Sequence, residues 1–203
     1  MTDKEQYLEV IAKHRTNEVM VTSMGTTIPW AKISSHPLDY ASVGSAMGHA
    51  ADFALGIALA QRDRKVLALN GDGSMLMCLG TLATISALET PARNFCLFLC
   101  HNGRYEVTGN QLIPGRGSFS FATVAKGAGL EKVYDFDNAD ALDASLRNIL
   151  NADGPAFVNL EMAPSTEPPP HRSPDSTVRY LSGTLAESTH ELRDALTGEP
   201  SLF

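Results

Sequence analysis

The chain is 203 residues long, 43% of it is hydrophobic, and its formal net charge is −7. This length is enough for one domain with a substantial core and is short for two. The negative charge and the lack of any Lys/Arg cluster exclude nucleic acid and an anionic membrane surface as expected partners. Residues 1–15 are polar, and no stretch approaches the roughly 20 apolar residues of a membrane span, so we expect a soluble, cytoplasmic protein.

Apolar runs of strand length alternate with helical segments along most of the chain. Strands are predicted at 18–23, 66–70, 95–100, 132–136 and 156–162, and helices at 46–60, 75–89, 120–130 and 139–151. Continuous apolar strands separated by helices indicate a parallel sheet that is covered on both faces. The expected fold class is therefore α/β, a doubly wound parallel sheet with helices on both faces.

Two of the predicted helices are unusually apolar. The 46–60 segment carries one acid, Asp52, and the 75–89 segment is nearly uncharged until its end. A helix that is apolar all round is buried against another layer or another subunit. For a chain of this size, we expect a subunit interface.

The composition changes from Pro164 onward, where a stretch rich in Pro and Ser predicts an extended linker. Residues 175–197 that follow look helical and could dock on a neighbouring surface. We therefore predict one domain over 1–163 and a tail, linker plus docking helix, over 164–203.

Three cysteines occur, Cys78, Cys96 and Cys100, without a CxxC pair and without metal-type spacing to a histidine. Cys96 and Cys100 lie on one face of a predicted strand, so we interpret them as small core residues. The sequence thus offers no ligand set for an iron–sulfur cluster.

The strongest local feature is a strand that runs into Gly71-Asp72-Gly73-Ser74 and then into a helix. Ligands of open α/β sheets bind beyond the carboxyl ends of the strands, so Asp72 is well placed to touch one. Gly73 and Ser74 open the helix, whose free N–H groups favour a phosphate. Arg93 is the one cation between positions 66 and 100, so a phosphate there would need a divalent metal held by Asp72.

A second polar group, Asn102-Gly103-Arg104-Tyr105, follows the next predicted strand. Adjacent parallel strands end at the same edge of a sheet, so Asp72 and Asn102 can share one ion. Each sequence alone is an ordinary turn. The pair, with a strand before each member, predicts a metal site.

Gly-Asp-Gly followed about 30 residues later by Asn at a strand end resembles the thiamine-diphosphate (ThDP) binding motif. The resemblance covers most of residues 18–163 and is most specific to the ThDP-binding (β) subunits of the sulfopyruvate and phosphonopyruvate decarboxylase family. The segments that carry it are 44–50, 54–60, 63–66, 71–74 and 108–111.

The resemblance implies that Asp72, the Asn102 side chain and the backbone carbonyl of Arg104 bind Mg²⁺. Met47 would lie between the two rings of the cofactor. The chain departs from the family at Ser45, two residues before Met47, where glycine is usual. The implied cofactor-binding residues are Gly25, Thr26, Thr27, Ser45, Ala46, Met47, Gly71, Asp72, Gly73, Ser74, Asn102, Arg104, Tyr105 and Glu106.

Residues that would act on the substrate are harder to read. His101 and His49 are candidate catalytic residues, and His101 could equally be an ordinary loop histidine. Arg104 and Arg116 could bind an anionic tail of the substrate, or they could be solvated loop charges.

The resemblance implies a non-oxidative decarboxylase of a small, anionic-tailed 2-oxo acid. Its cofactor also needs a glutamate from a pyrimidine-binding domain, and nothing in this sequence resembles that domain. We therefore expect a separate pyrimidine-binding (α) subunit and a hetero-oligomer, α2β2 or larger. The alternatives are a carboligase of the acetolactate synthase type, a non-catalytic ThDP-binding subunit and, disfavoured by the cysteines, a 2-oxo acid:ferredoxin oxidoreductase β-subunit.

Overall fold

The computed structural model describes residues 2–166 and 168–198. Position 1 of the predicted domain and positions 167 and 199–203 of the predicted tail lie outside the described residues. The elements in chain order are α1 (Lys4–His14), β1 (Val19–Thr22), α2 (Met24–Ala31), β2 (Asp39–Ala41), α3 (Ala50–Ala60), β3 (Val66–Gly71), α4 (Asp72–Met77), α5 (Gly80–Ser86), β4 (Phe95–His101), β5 (Arg104–Tyr105), β6 (Gln111–Leu112), α6 (Phe121–Gly127), β7 (Lys132–Phe136), α7 (Ala139–Asn151), β8 (Ala156–Glu161) and α8 (Leu185–Thr197).

Six strands form one sheet in the order β2-β1-β3-β4-β8-β7, with every neighbouring pair parallel. Helices α3, α5 and α6 supply core residues on one face, and α1, α2 and α7 supply them on the other. Strands β1, β3 and β4 are buried along nearly their whole length, which explains their continuous apolar runs. The predicted α/β class and the doubly wound parallel sheet are confirmed.

The two apolar helices have bounds that differ from the predicted ones. The first begins at Ala50 rather than at position 46, because Gly48 has a φ of +87° that no α-helix contains. The second starts earlier, at Asp72, and breaks at Cys78 before restarting at Gly80. A Cβ on Gly48 would lie 2.9 Å from the Cys78 Sγ, so the two segments are in close contact at the break.

Several elements were not predicted from the sequence: α1, α2, β2 and the antiparallel hairpin β5-β6. The most important for the site is α2, because positions 25–27 were expected in a loop after the first strand. They lie instead in the first turn of a helix that begins directly after Ser23.

The direction of chain progression across the sheet reverses between β1 and β3. From β1 the chain crosses to β2 on one side, and it then returns to β3 on the other side. Ligand sites in open α/β sheets lie at such a reversal, outside the carboxyl ends of the strands. Here Gly71 at the end of β3 donates its N–H to the Ser23 hydroxyl, 3.2 Å away, so the two loops are in direct contact.

The described part of the tail packs along β2, which is an edge strand. Arg172 donates to the carbonyls of Ala41 and Val43, at 2.9 and 2.7 Å, and Arg179 donates to the Asp39 carbonyl at 3.3 Å. Leu192 of α8 joins the core on the α3 side of the sheet. The division of the chain at 163/164 stays a prediction.

None of the helices in the described ranges 2–166 and 168–198 is long and apolar enough to cross a bilayer.

Candidate active site

A cleft opens at the reversal point, between the carboxyl ends of β1, β3 and β4. The cleft is open to solvent, and its empty space, counted out to bulk solvent, is about 710 Å³. The predicted residues that line it are Gly25, Ser45, Ala46, Met47, Gly71, Asp72, Gly73, Ser74, Asn102, Arg104, Tyr105 and Glu106. The fold therefore brings segments from four separate parts of the chain to one place.

Asp72 is 1% exposed, and both of its carboxylate oxygens accept backbone N–H groups. Gly73 donates to one oxygen at 2.7 Å, and Gly103 donates to the other at 2.6 Å. Burial raises the pKa of Asp72, while these hydrogen bonds and the charge of His101 act in the opposite direction. No Lys or Arg forms an ion pair with this carboxylate in the described part of the chain, so a bound cation would offset the cost of burying its charge.

The Gly103 hydrogen bond also brings the two predicted motifs together. Asn102 and Arg104 flank Gly103, and the Asn102 Oδ1 accepts the Arg104 N–H at 2.8 Å. The Arg104 guanidinium turns away to the carbonyl of Asn110, at 2.8 Å. The oxygen atoms of Asp72, Asn102 and the Arg104 backbone are hard donors of the kind that Mg²⁺ takes, so the residues present fit this ion.

Tyr105 lies against the glycine of the first motif. A Cβ at Gly73 would be 2.4 Å from the Tyr105 Cδ1, so only glycine permits this contact. The aromatic ring thereby joins the beginning of α4 to the β5-β6 hairpin. Helix α4 is only six residues long, so its dipole contributes little to binding an anion, and more of the charge neutralisation falls to a metal.

Glu106 lines the cleft, and residues outside the cleft bind its carboxylate. One carboxylate oxygen pairs with the Lys4 ammonium at 2.5 Å, and the other accepts the N–H of Ser165 at 2.7 Å. Lys4 also donates to the Gly25 carbonyl at 3.0 Å. These contacts join α1, the beginning of α2 and the start of the tail beside the cleft.

The outer part of the cleft is apolar and open. Met47 is 58% exposed and Met77 is 46% exposed, and both line the cleft. Large apolar side chains that are exposed in the same cleft favour contact with a ligand or with another chain.

Four predicted site residues lie outside the lining of this cleft. The Thr26 and Thr27 hydroxyls both donate to the Ser23 carbonyl, at 3.0 and 2.9 Å, and the Thr26 N–H bonds the same oxygen. They hold β1 to α2, because the helix begins at Met24 and both threonines lie in its first turn. His49 pairs with Asp52 at 2.6 Å, and the His101 ring packs edge-on against Phe121.

Sequence reasoning missed several lining residues: Ser23, Met24, Ser42, Met77, Val107 and Thr108. Ser23 and Ser42 follow β1 and β2, and β2 was not recognised. Polar residues directly after a buried strand tend to face the site, but the predicted first strand extended through Ser23, so neither serine could be found in this way. Arg116, a candidate for the substrate tail, packs against Gly103, where a Cβ would be 3.1 Å from its Nε.

Comparison with known proteins defines the class to which this architecture belongs. The family "Thiamine pyrophosphate enzyme, C-terminal TPP binding domain" matches residues 22–160. The chain belongs to this family, and the predicted ThDP cofactor is thereby confirmed; Mg²⁺ is the ion typical of the family. The match runs from the last residue of β1 into β8 and includes the whole of β3 and β4, which border the cleft.

More particularly, the chain is similar to the sulfopyruvate decarboxylase subunit beta of Methanocaldococcus jannaschii, with 30% identity over 153 residues, 74% of this chain and 78% of the relative. It is 36% identical to the phosphonopyruvate decarboxylase of Streptomyces viridochromogenes over 121 residues, 60% of this chain and 30% of that protein. A solved thiamin diphosphate-dependent enzyme from Mycobacterium smegmatis matches with a TM-score of 0.67 and 26% identity, over 81% of this chain and 32% of that one. The chain thus spans about a third of these two longer relatives.

Proposed function

We propose that the chain is the diphosphate- and magnesium-binding subunit of a heteromeric, ThDP-dependent 2-oxo acid decarboxylase. Its substrate is a small 2-oxo acid with a second anionic group, of the sulfopyruvate or phosphonopyruvate type. The relatives named for these two activities support the choice. A cytoplasmic location belongs to the same proposal.

Within the chain, Asp72, the Asn102 side chain and the Arg104 carbonyl would hold the metal ion. Gly25 and Ser74 lie beside this group in the cleft and would donate to the diphosphate, whereas the Gly73 N–H already bonds the Asp72 carboxylate. Thr26 and Thr27 are left out of this set because their hydroxyls are engaged inside the fold. A catalytic role for His49 and His101 stays a prediction, because neither lines the cleft.

The carboxyl groups that line the cleft are the observation from which we infer a second subunit. ThDP supplies the electron sink for the departing carboxylate, and its pyrimidine needs a carboxylic acid for proton transfer. Asp72 and Glu106 are the acids among the described lining residues, and both are engaged, by two N–H groups and by Lys4 plus Ser165 respectively. The missing acid would come from a pyrimidine-binding α subunit.

The exposed apolar rim supports the position of that subunit. Met47 and Met77 stand at the open side of the cleft, next to the apolar helix α3. A second chain placed there would cover both methionines and present its acid to the pyrimidine end of the cofactor. If two such α–β pairs associate, the assembly is α2β2 or larger.

The test is reconstitution with an α subunit that carries the glutamate. We expect carbon dioxide release from sulfopyruvate or phosphonopyruvate by the complex with Mg-ThDP, and none by this chain alone. The Asp72→Asn complex is the control that should assemble but not turn over. Turnover by the isolated chain would contradict the proposal, and formation of a hydroxy-keto acid instead of an aldehyde would identify a carboligase.

A further inference from the structure

A second group of metal-ligating side chains lies next to the cleft, outside its lining. It consists of His49 and Asp52 from the beginning of α3 and Cys78 from the end of α4. We propose that these three residues bind a borderline-soft divalent cation of the Zn²⁺ type, at a site separate from that of Mg²⁺. This site is independent of the proposed decarboxylase activity.

The geometry suits a single ion. One ligand atom from each residue lies within 4.8 Å of the other two. The Cys78 Sγ is 3.7 Å from the His49 Nδ1, the ring nitrogen that also faces Asp52. Zn–S and Zn–N bonds of about 2.3 and 2.0 Å in a tetrahedral site separate the two ligand atoms by roughly 3.5 Å.

The backbone holds the two helix ends at this spacing. Gly48 approaches α4 so closely that a Cβ would meet the Cys78 Sγ at 2.9 Å and the Met77 Cβ at 3.0 Å. Asp52 lies one turn after His49 and bonds its Nδ1 at 2.6 Å. The other Asp52 oxygen accepts the hydroxyl of Thr81, also at 2.6 Å, and Thr81 is 5% exposed. A buried hydroxyl that orients a carboxylate is a usual second layer around a metal ligand.

The charges also favour a cation. The described residues provide Asp52 with no ion-pair partner except His49. A divalent ion bound by the Asp52 carboxylate and a Cys78 thiolate would leave a neutral site. Burial, and then the charge of Asp52, raise the pKa of the Cys78 thiol, so binding of a cation is what would favour its thiolate form.

The two sites should bind different ions because their ligand atoms differ. The cleft offers oxygen atoms, which suit Mg²⁺, while sulfur and imidazole nitrogen select Zn²⁺ and its neighbours. The His49 side chain is 53% exposed and that of Asp52 33%, so water can complete the coordination. The site could not be predicted from the sequence, because its residues lie at the beginning of α3 and the end of α4, and neither of these helix ends was predicted.

Cobalt(II) titration of the full chain, after treatment with a chelator, tests the proposal. A thiolate ligand gives bound Co²⁺ a near-ultraviolet charge-transfer band, which we expect to saturate at one equivalent. Added Zn²⁺ should abolish the band, whereas excess Mg²⁺ should leave it unchanged. The Asp72→Asn variant should keep the band, which separates this site from the cofactor site.

Cys78→Ser should lose the band and bind Zn²⁺ at least about tenfold more weakly in calorimetry. Cys96→Ala, which alters a buried thiol, is the matched control and should keep the band. His49→Gln, at an exposed position, serves as a second variant if Cys78→Ser does not fold. No band in the unaltered chain, or a band that persists in Cys78→Ser, would overturn the proposal.

Discussion

The Lys4 ammonium lies 2.5 Å from the Glu106 carboxylate, and their side chains are only 1% and 9% exposed. Two charges taken out of water this fully are stable only when each has several partners. Lys4 has the Gly25 carbonyl as well, and Glu106 has the Ser165 N–H. The N-terminal helix thus supports the wall of the cofactor cleft although it carries no group that touches the cleft itself.

Glu106→Ala should lower the free energy of unfolding by about 3 kcal/mol, because it leaves the Lys4 charge buried without a counter-ion. Chemical denaturation monitored by circular dichroism measures the change. Glu9→Ala, an exposed acid on the same helix as Lys4, should change stability by less than about 0.5 kcal/mol. Equal effects of the two variants would show that the ion pair contributes nothing.

Asp72→Asn should weaken ThDP binding at saturating Mg²⁺ by about 100-fold, because the variant keeps the shape of the side chain and removes its charge. Loss of a residue that only supports a metal ligand already costs roughly 10- to 100-fold. Calorimetry of the chain with ThDP gives the affinity. Asp63→Asn, an exposed acid away from the cleft, should leave it unaltered; unchanged affinity in Asp72→Asn would remove the metal assignment.

Gly73→Ala should displace the Tyr105 ring, because the new Cβ would otherwise lie 2.4 Å from the Tyr105 Cδ1. We expect a loss of about 1–3 kcal/mol of stability. Gly71→Ala, two residues earlier, adds the same methyl group where no atom lies within 4 Å, and should cost far less. Denaturation of both variants measures the difference, and similar losses would mean that the Tyr105 contact does not constrain position 73.

Arg172→Ala should loosen the tail and reduce stability by about 3 kcal/mol, since its guanidinium donates to buried carbonyls of Ala41 and Tyr180 at 2.9 and 3.0 Å. Proteolysis under native conditions should then cut within the tail sooner. Arg147→Ala removes an exposed arginine on α7 and should resemble the unaltered chain in both assays. An unaltered cleavage rate in Arg172→Ala would contradict the docking role.

Cys78 should be the one thiol that reacts with a water-soluble disulfide reagent in the native, chelator-treated chain. Burial raises the pKa of Cys96 and Cys100 to about 12, so both stay protonated and shielded. Because the pKa of Cys78 is also raised, its rate should keep rising with pH beyond the ordinary range for cysteine. Absorbance counting should give one thiol in buffer and three in denaturant.

The sheet could be predicted because most of its strands are continuous apolar runs that are visible in the sequence itself. β7 was predicted at its observed bounds, and β3 and β4 were each predicted one residue short. Helix α1 was not predicted although its sequence indicates a helix. A capping box joins Asp3 and Gln6, and the apolar residues Tyr7, Leu8 and Ile11 follow at helical spacing.

The parts of the site that depend on tertiary contact could not be predicted. The Thr26 hydroxyl also bonds the Leu69 carbonyl, 43 positions later in the chain, and no local pattern reveals this contact. The break at Cys78 depends on the approach of Gly48, which is 30 positions earlier in the chain. Local propensity is a weak guide wherever a distant segment sets the backbone.

The arginines along β2 have a consequence for how the chain behaves in solution. An uncovered edge strand presents a row of free carbonyl and N–H groups to which another chain can add a strand. Arg172 and Arg179 occupy the carbonyls of Ala41 and Asp39, on the side of β2 opposite β1. We therefore expect the tail to keep another chain from adding a strand to β2, and a version shortened before Arg172 should precipitate.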